Sequence, residues 1–191
     1  TTGEKTVVIT NFGNSIYIVN GGVASGPYAT PSGHSMGNTA FGLDYLFGYV
    51  LTFRQPYTGL SLYGLNTLSY NSSNGNFDTA IHPDDSTNAM SNSSFIATGN
   101  DGINGFAAVN TTETYTVPSV LYLLTQDVSN NYVSSTFTLP AFPNLPTDAV
   151  VNSFGQPSLG CSGKKGYVIS NSLDNSSQLK YSFIQKLDSG P

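Results

Sequence analysis

No stretch of twelve or more residues in this chain carries an apolar repeat at helical spacing without a Gly or Pro inside it. Helices therefore cannot supply the core, and the burden falls on short extended segments. Those are plentiful. Thr6-Val7-Val8-Ile9-Thr10 is β-branched throughout, and Ser15 to Val19 follows after Asn11-Phe12-Gly13-Asn14, which has the composition of a turn or hinge. A Gly/Pro/Ser-rich loop is expected from Asn20 to Asn38, then a long, largely buried strand from Tyr45 to Arg54 that Gln55-Pro56 ends. Further strands are expected near Leu60–Tyr63, Phe77–Ile81, Ser94–Thr98, Gly105–Val109, Thr112–Val117 and Val120–Thr125.

The last third alternates more clearly. Val133, Ser135, Phe137 and Leu139 fall on one face of a segment from Tyr132 to Leu139, and Tyr181, Phe183, Gln185 and Leu187 on one face of another. Between them Pro140 to Pro146 reads as a loop. About ten short strands with turn signals every eight to fifteen residues predict an all-β chain, a Greek-key or jelly-roll-like β-sandwich. No repeat or composition break divides it into independent domains.

Composition sets the surroundings such a fold can tolerate. Of 191 residues only 17 are charged, whereas Ser, Thr and Asn make up 64. A net charge of −5 with six basic residues excludes a surface that grips nucleic acid, and no polybasic stretch addresses a membrane. No apolar run approaches the roughly 20 residues of a membrane-spanning helix. Cys161 stands alone, so no intrachain disulfide forms, and the simplest role for it is a buried small hydrophobe. Few ionised carboxylates leave little to lose when pH falls, which suits an acidic exterior, although ordinary secreted and viral β-proteins share this composition. The opening Thr1-Thr2-Gly3 fits a mature chain whose signal peptide has been cleaved, and an excised fragment would look the same.

Catalytic patterns are weak. His34 and His82 lack zinc-site spacing, and His82-Pro83-Asp84-Asp85 is explained more simply by a turn than by a cation site. Asp84 and Asp85 point apart on an extended chain, which leaves only a distant partner such as Glu113 for glycosidase chemistry. Gly160-Cys161-Ser162-Gly163-Lys164-Lys165 fails as a phosphate loop: Ser158 stands where the first Gly is needed, and Lys165 replaces the Ser/Thr. There is no Gly-X-Ser-X-Gly elbow. The expectation is a protein without catalytic activity, cofactor or metal.

Covalent N-linked glycans are expected instead, at Asn71, Asn92, Asn110 and Asn175, each followed by X-Ser/Thr. Random order predicts about four or five such sites at this composition, so their number shows no enrichment. Asn71, Asn92 and Asn175 lie in Ser/Asn/Asp-rich stretches that read as exposed loops, and Asn110 is the weaker site.

The candidate functional element is the first strand, Glu4, Lys5, Thr6, Val7, Val8, Ile9 and Thr10. It is either the first strand of its own sandwich or a strand donated to a neighbour whose sandwich lacks one. Donation would satisfy an open hydrophobic groove and an unpaired sheet edge together, with Val7 and Ile9 as groove anchors and Val8 and Thr10 on the opposite side. Repeated head to tail, such a contact does not close and builds a filament. On this division residues 1–13 are donor strand and hinge, and residues 14–191 a single β-sandwich domain.

Thr6-Val7-Val8-Ile9-Thr10, leading through Phe12-Gly13-Asn14 into a helix-poor, Ser/Thr/Asn/Tyr-rich chain, resembles the subunits of the archaeal thread, a surface pilus of Sulfolobus-type thermoacidophiles. The likeness lies in the general character of the whole chain. It implies a glycosylated extracellular filament of pilin-like β-domains joined by N-terminal donor strands, with roles in adhesion or biofilm formation through contacts with cell surfaces or glycans. Bacterial chaperone–usher pilins usually carry a disulfide, which a single Cys forbids. Alternatives are another secreted β-filament or matrix protein, a viral jelly-roll capsid protein, and a secreted carbohydrate-binding module or glycoside hydrolase. The twelve Tyr favour sugar stacking, and the absence of Trp argues against it.

Overall fold

The computed structural model describes residues 5–10, 15–29, 34–43, 47–54, 63–71, 73–74, 76–81, 94–110, 119–128, 132–139, 146, 149–174 and 178–191. Among these the chain is all-β, without a helix, and every ladder is antiparallel. The strands are β1 (Lys5–Thr10), β2 (Ser15–Asn20), β3 (Val23–Ala29), β4 (His34–Phe41), β5 (Phe47–Arg54), β6 (Tyr63–Asn71), β7 (Asn76–Ile81), β8 (Phe95–Thr98), β9 (Gly105–Val109), β10 (Val120–Gln126), β11 (Tyr132–Thr136), β12 (Ser153–Phe154), β13 (Ser158–Leu159), β14 (Lys165–Leu173) and β15 (Leu179–Asp188). They form four sheets, β1-β2-β3, β4-β5-β6-β7, β8-β9-β10-β11, and a fourth in which β14 pairs β15 on one edge and β12 then β13 on the other. Within the first three sheets each ladder joins consecutive strands.

Sheet β8–β11 lies at the centre because its side chains serve two cores. Ile96, Ala107, Val109 and Leu124 point to one side and meet Phe47 and Tyr49 of β5. Phe106, Ala108 and Leu121 point to the other and meet Phe154, Val168 and Leu187. The two sets alternate residue by residue, as the period-2 geometry of a strand requires. With both faces covered, all five residues of β9 are buried, which is why its sequence is continuously small or apolar instead of alternating. Tyr49, fully buried, donates its hydroxyl to the Ile103 carbonyl at 2.8 Å, so its polar end is satisfied inside.

Three loops meet backbone to backbone. Leu43 N donates to Asn100 O at 2.9 Å, and Asn100 N donates to Cys161 O at 2.7 Å. Asp101 shapes the middle loop by accepting from the backbone of Ile103 and Asn104 and from Asn104 Nδ2. Gly163, at φ 69°, leaves no room for a Cβ, which would strike the Asn104 carbonyl.

The strands expected at Phe77–Ile81, Ser94–Thr98, Gly105–Val109 and Val120–Thr125 are present with ends shifted by a residue at most. Asn20 to Asn38 is not one long loop. Gly21 and Gly22, at φ 57° and 82°, form a two-residue turn between β2 and β3, and β4 has begun by His34. The segment from Tyr132 stops as a strand at Thr136, although Phe137 N still donates to Leu121 O and Phe137 and Leu139 pack in the second core. β14 is a strand that the sequence pattern does not predict. Residues 60–62, 112–117 and 140–145 lie outside the described residues.

Leu124→Ala is expected to lower unfolding stability by about 2–5 kcal/mol in urea titrations. Val128→Ala, at a fully exposed turn position, should stay within about 0.5 kcal/mol.

Candidate functional site

The β-branched run of the first strand favours extended backbone, and residues Lys5–Thr10 form β1. It pairs with β2 of its own chain through six positions: Lys5↔Asn20, Thr6↔Val19, Val7↔Ile18, Val8↔Tyr17, Ile9↔Ile16 and Thr10↔Ser15. Val7 and Ile9 thus stand opposite Ile18 and Ile16, and Ile16 is fully buried. On the alternate positions Thr6 is exposed and Val8 and Tyr17 are half-buried. β1 is the outer strand of its sheet, and among the described contacts of that sheet Tyr28 of β3 lies edge-on to Tyr70 of β6 with ring centroids 6.0 Å apart. Glu4 and the hinge Asn11-Phe12-Gly13-Asn14 lie outside the described residues.

The four acceptor asparagines separate by environment. Asn71 ends β6, and its Oδ1 accepts from Ser73 N at 3.0 Å in a turn whose described residues, Ser73 and Asn74, are exposed. Asn92 and Asn175 lie outside the described residues. Asn110 is different: it is 3% exposed, and both ends of its amide are engaged by one residue. Nδ2 donates to Phe154 O and Oδ1 accepts from Phe154 N, each at 2.7 Å, while its backbone N donates to Ser94 Oγ at 2.9 Å. The side chain takes the place of a partner strand for β12. A glycan on Nδ2 would break this pair and has no room in the second core, so the expectation of modification at Asn110 does not fit the fold.

Asn152 repeats the device. Its Nδ2 donates to Leu173 O at 3.1 Å and its Oδ1 accepts from Leu173 N at 2.9 Å. Nothing in the local sequence around Asn110 or Asn152 distinguishes such clamps from loop asparagines, because the partner residue is 44 or 21 positions away.

Charged chemistry is sparse. Among the described residues no three His, Cys, Asp or Glu gather as a metal site. His34 opens β4; His82, Asp84, Asp85 and Glu113 lie outside the described residues. Gly160 to Lys164 is a turn, closed by Gly160 N donating to Lys165 O and Gly163 N to Gly160 O. Cys161 is exposed there, not buried as expected of a small hydrophobe. No helix of the described chain is long and apolar enough to cross a membrane. Lys186 Nζ sits 2.8 Å from Asp188 Oδ2, and Lys165 Nζ 3.9 Å from Oδ1. The hydrogen bond from Lys186, with a second from Gly190 N, holds the Asp188 carboxyl below the ordinary aspartate value, and Lys186 is raised in turn.

Comparison with protein-family models, with curated proteins and with solved structures finds no match.

Asn110→Ala should cost about 1–3 kcal/mol, because it strands the Phe154 N–H and C=O in the interior. Glycopeptide mapping of protein from a glycosylating host should find Asn110 unmodified. For Asp188, an NMR titration should place the carboxyl midpoint below the usual range, and Lys186→Ala should move it up. The folded-state value is depressed, so any stabilisation is present above the unfolded pKa and lost as pH falls through the folded one. The solvent around this surface pair keeps that contribution small.

Proposed function

We propose that this chain is a non-catalytic structural subunit of an extracellular surface filament serving adhesion or biofilm formation. Its domain is a pilin-like β-sandwich decorated with N-linked glycans at Asn71, Asn92 and Asn175, and its partners are copies of itself joined head to tail by β1. The observation that supports this is the β1–β2 ladder: β1 is an outer strand whose six pairs, formed here within one chain, are ones that β1 of another copy can also make.

Exchange between copies is isoenergetic in its contacts. When β1 of one copy leaves β2 and β1 of another takes its place, the same six pairs form again, with Val7 and Ile9 once more opposite Ile18 and Ile16. The balance then depends on the geometry of the connection and on local concentration. Each copy gives one strand and receives one, and where the exchange runs head to tail through a rotation that does not close, the contacts stay open and grow as a filament.

Val8→Cys with Tyr17→Cys, in a Cys161→Ser background, places a disulfide across a directly opposed pair of half-buried positions. Strand exchange predicts a ladder of covalent multimers on a non-reducing gel of the assembled protein, and negative-stain microscopy of the parent chain should find thin filaments that deletion of Thr1–Thr10 abolishes. Intrachain disulfides only, with compact monomers in the microscope, would reject the filament. Ile9→Asp should prevent polymerisation by placing a carboxylate opposite buried Ile16.

A further inference from the structure

The charges of this chain are segregated. Residues 164–191 hold four of its six basic side chains, Lys164, Lys165, Lys180 and Lys186, against two acidic ones, Asp174 and Asp188. The remainder holds two basic and nine acidic. The basic segment is the β14–β15 hairpin.

The outward face of that hairpin runs against normal burial. In register, Lys165, Tyr167, Ile169 and Asn171 of β14 stand opposite Asp188, Lys186, Ile184 and Ser182 of β15. Tyr167 is 57% exposed, Ile169 46% and Ile184 71%, and the two isoleucines are a direct cross-strand pair. The polar groups lie at the two ends: the Lys165/Lys186/Asp188 cluster at one, and Ser182 Oγ donating to Asn171 Oδ1 at 2.7 Å at the other. Meanwhile Ser170, Ser172 and Gln185 occupy the inward face, where Ser170 Oγ donates to Gln185 Oε1. A solitary domain gains by turning isoleucine in and serine out. An apolar centre between polar ends is instead the anatomy of an interface.

We propose that the outward face of β14–β15 packs against a second copy of this chain, whose sequence outside residues 164–191 carries nine acidic side chains to two basic ones and so complements the lysines of the hairpin. The contact is made by side chains, is heterologous, and goes beyond the filament reading because it needs no strand exchange. Two strands of nine and ten residues, with the interrupted β12–β13 edge beside them, offer roughly 450 Å². That is about half of what a stable complex buries per partner. The contact is therefore weak between free monomers and strengthened where copies are arrayed.

The full chain carrying Val8→Cys, Tyr17→Cys and Cys161→Ser, oxidised at high dilution, holds β1 on its own β2 and leaves this face as the route to association. Sedimentation velocity over a concentration series should find reversible oligomers. Their dissociation constant should rise about tenfold when salt goes from about 20 to about 500 mM, and again with Ile184→Ser or Lys186→Glu. A chain that stays monomeric throughout would overturn the proposal. So would association indifferent to salt and to both substitutions, or retention on anionic lipid vesicles without self-association. Failure to find filaments with β1 unlocked counts against strand exchange alone and leaves this contact standing.

Discussion

Both cores of the described residues hang on a central sheet that must be buried on both faces. β9 has no solvent side, and its alternate residues feed two separate cores, so the flanking sheets β4–β7 and β12–β15 cannot be removed without exposing apolar area. The same constraint dictates small residues there. Gly105, Ala107 and Ala108 let neighbouring layers approach, while Phe106, edge-on to Phe137 at 5.1 Å, fills the wider space on one side. Where three loops converge beside it, backbone meets backbone, and only glycine fits at Gly163.

Uncharged polar side chains tie on part of the outer layer. β12 has two residues and β13 two, too few for a stable ladder. Asn110 and Asn152 add pairs around β12, each presenting one donor and one acceptor to the backbone of a single residue as a strand would. Ser94 Oγ accepts from Asn110 N and donates to Asn110 O in the same manner. A carboxylate in place of either amide could only accept, and its burial as an ion would be costly. Neutral amides have no proton to gain as pH falls, so these internal joints are indifferent to acidity in a way that buried carboxylates are not.

Legibility in the sequence tracked how closely burial followed side-chain type. Gly105–Val109 and Val120–Thr125 were readable because their apolar runs are the consequence of two-sided burial, and the alternation of Tyr181, Phe183, Gln185 and Leu187 matches the inward face of β15. β14 escaped because its buried positions include Ser170 and Ser172 and its exposed ones Tyr167 and Ile169, the reverse of the expected pattern. β3 escaped because a Gly-Gly pair signals both a loop and a tight hairpin, and only pairing partners decide between them. The clamp role of Asn110 was invisible for a related reason, since its partner Phe154 is brought close by the fold and by nothing local. The first strand was legible as a strand; its partner β2, four residues further on, follows from the shortness of the connection.

The two ends of the chain are suited to different kinds of association. β1 is paired to one strand, β2, and takes no part in the two core clusters of the described residues. β14 is the opposite case: it is paired on both edges, and Val168 is locked in the second core. Backbone exchange there would dismantle an entire layer. A contact at the C-terminal hairpin is therefore restricted to side chains on its outward face, while one at the N-terminus can use the backbone itself. The two proposed contacts would therefore be lost independently, because no described hydrogen bond joins β1 to the β14–β15 hairpin.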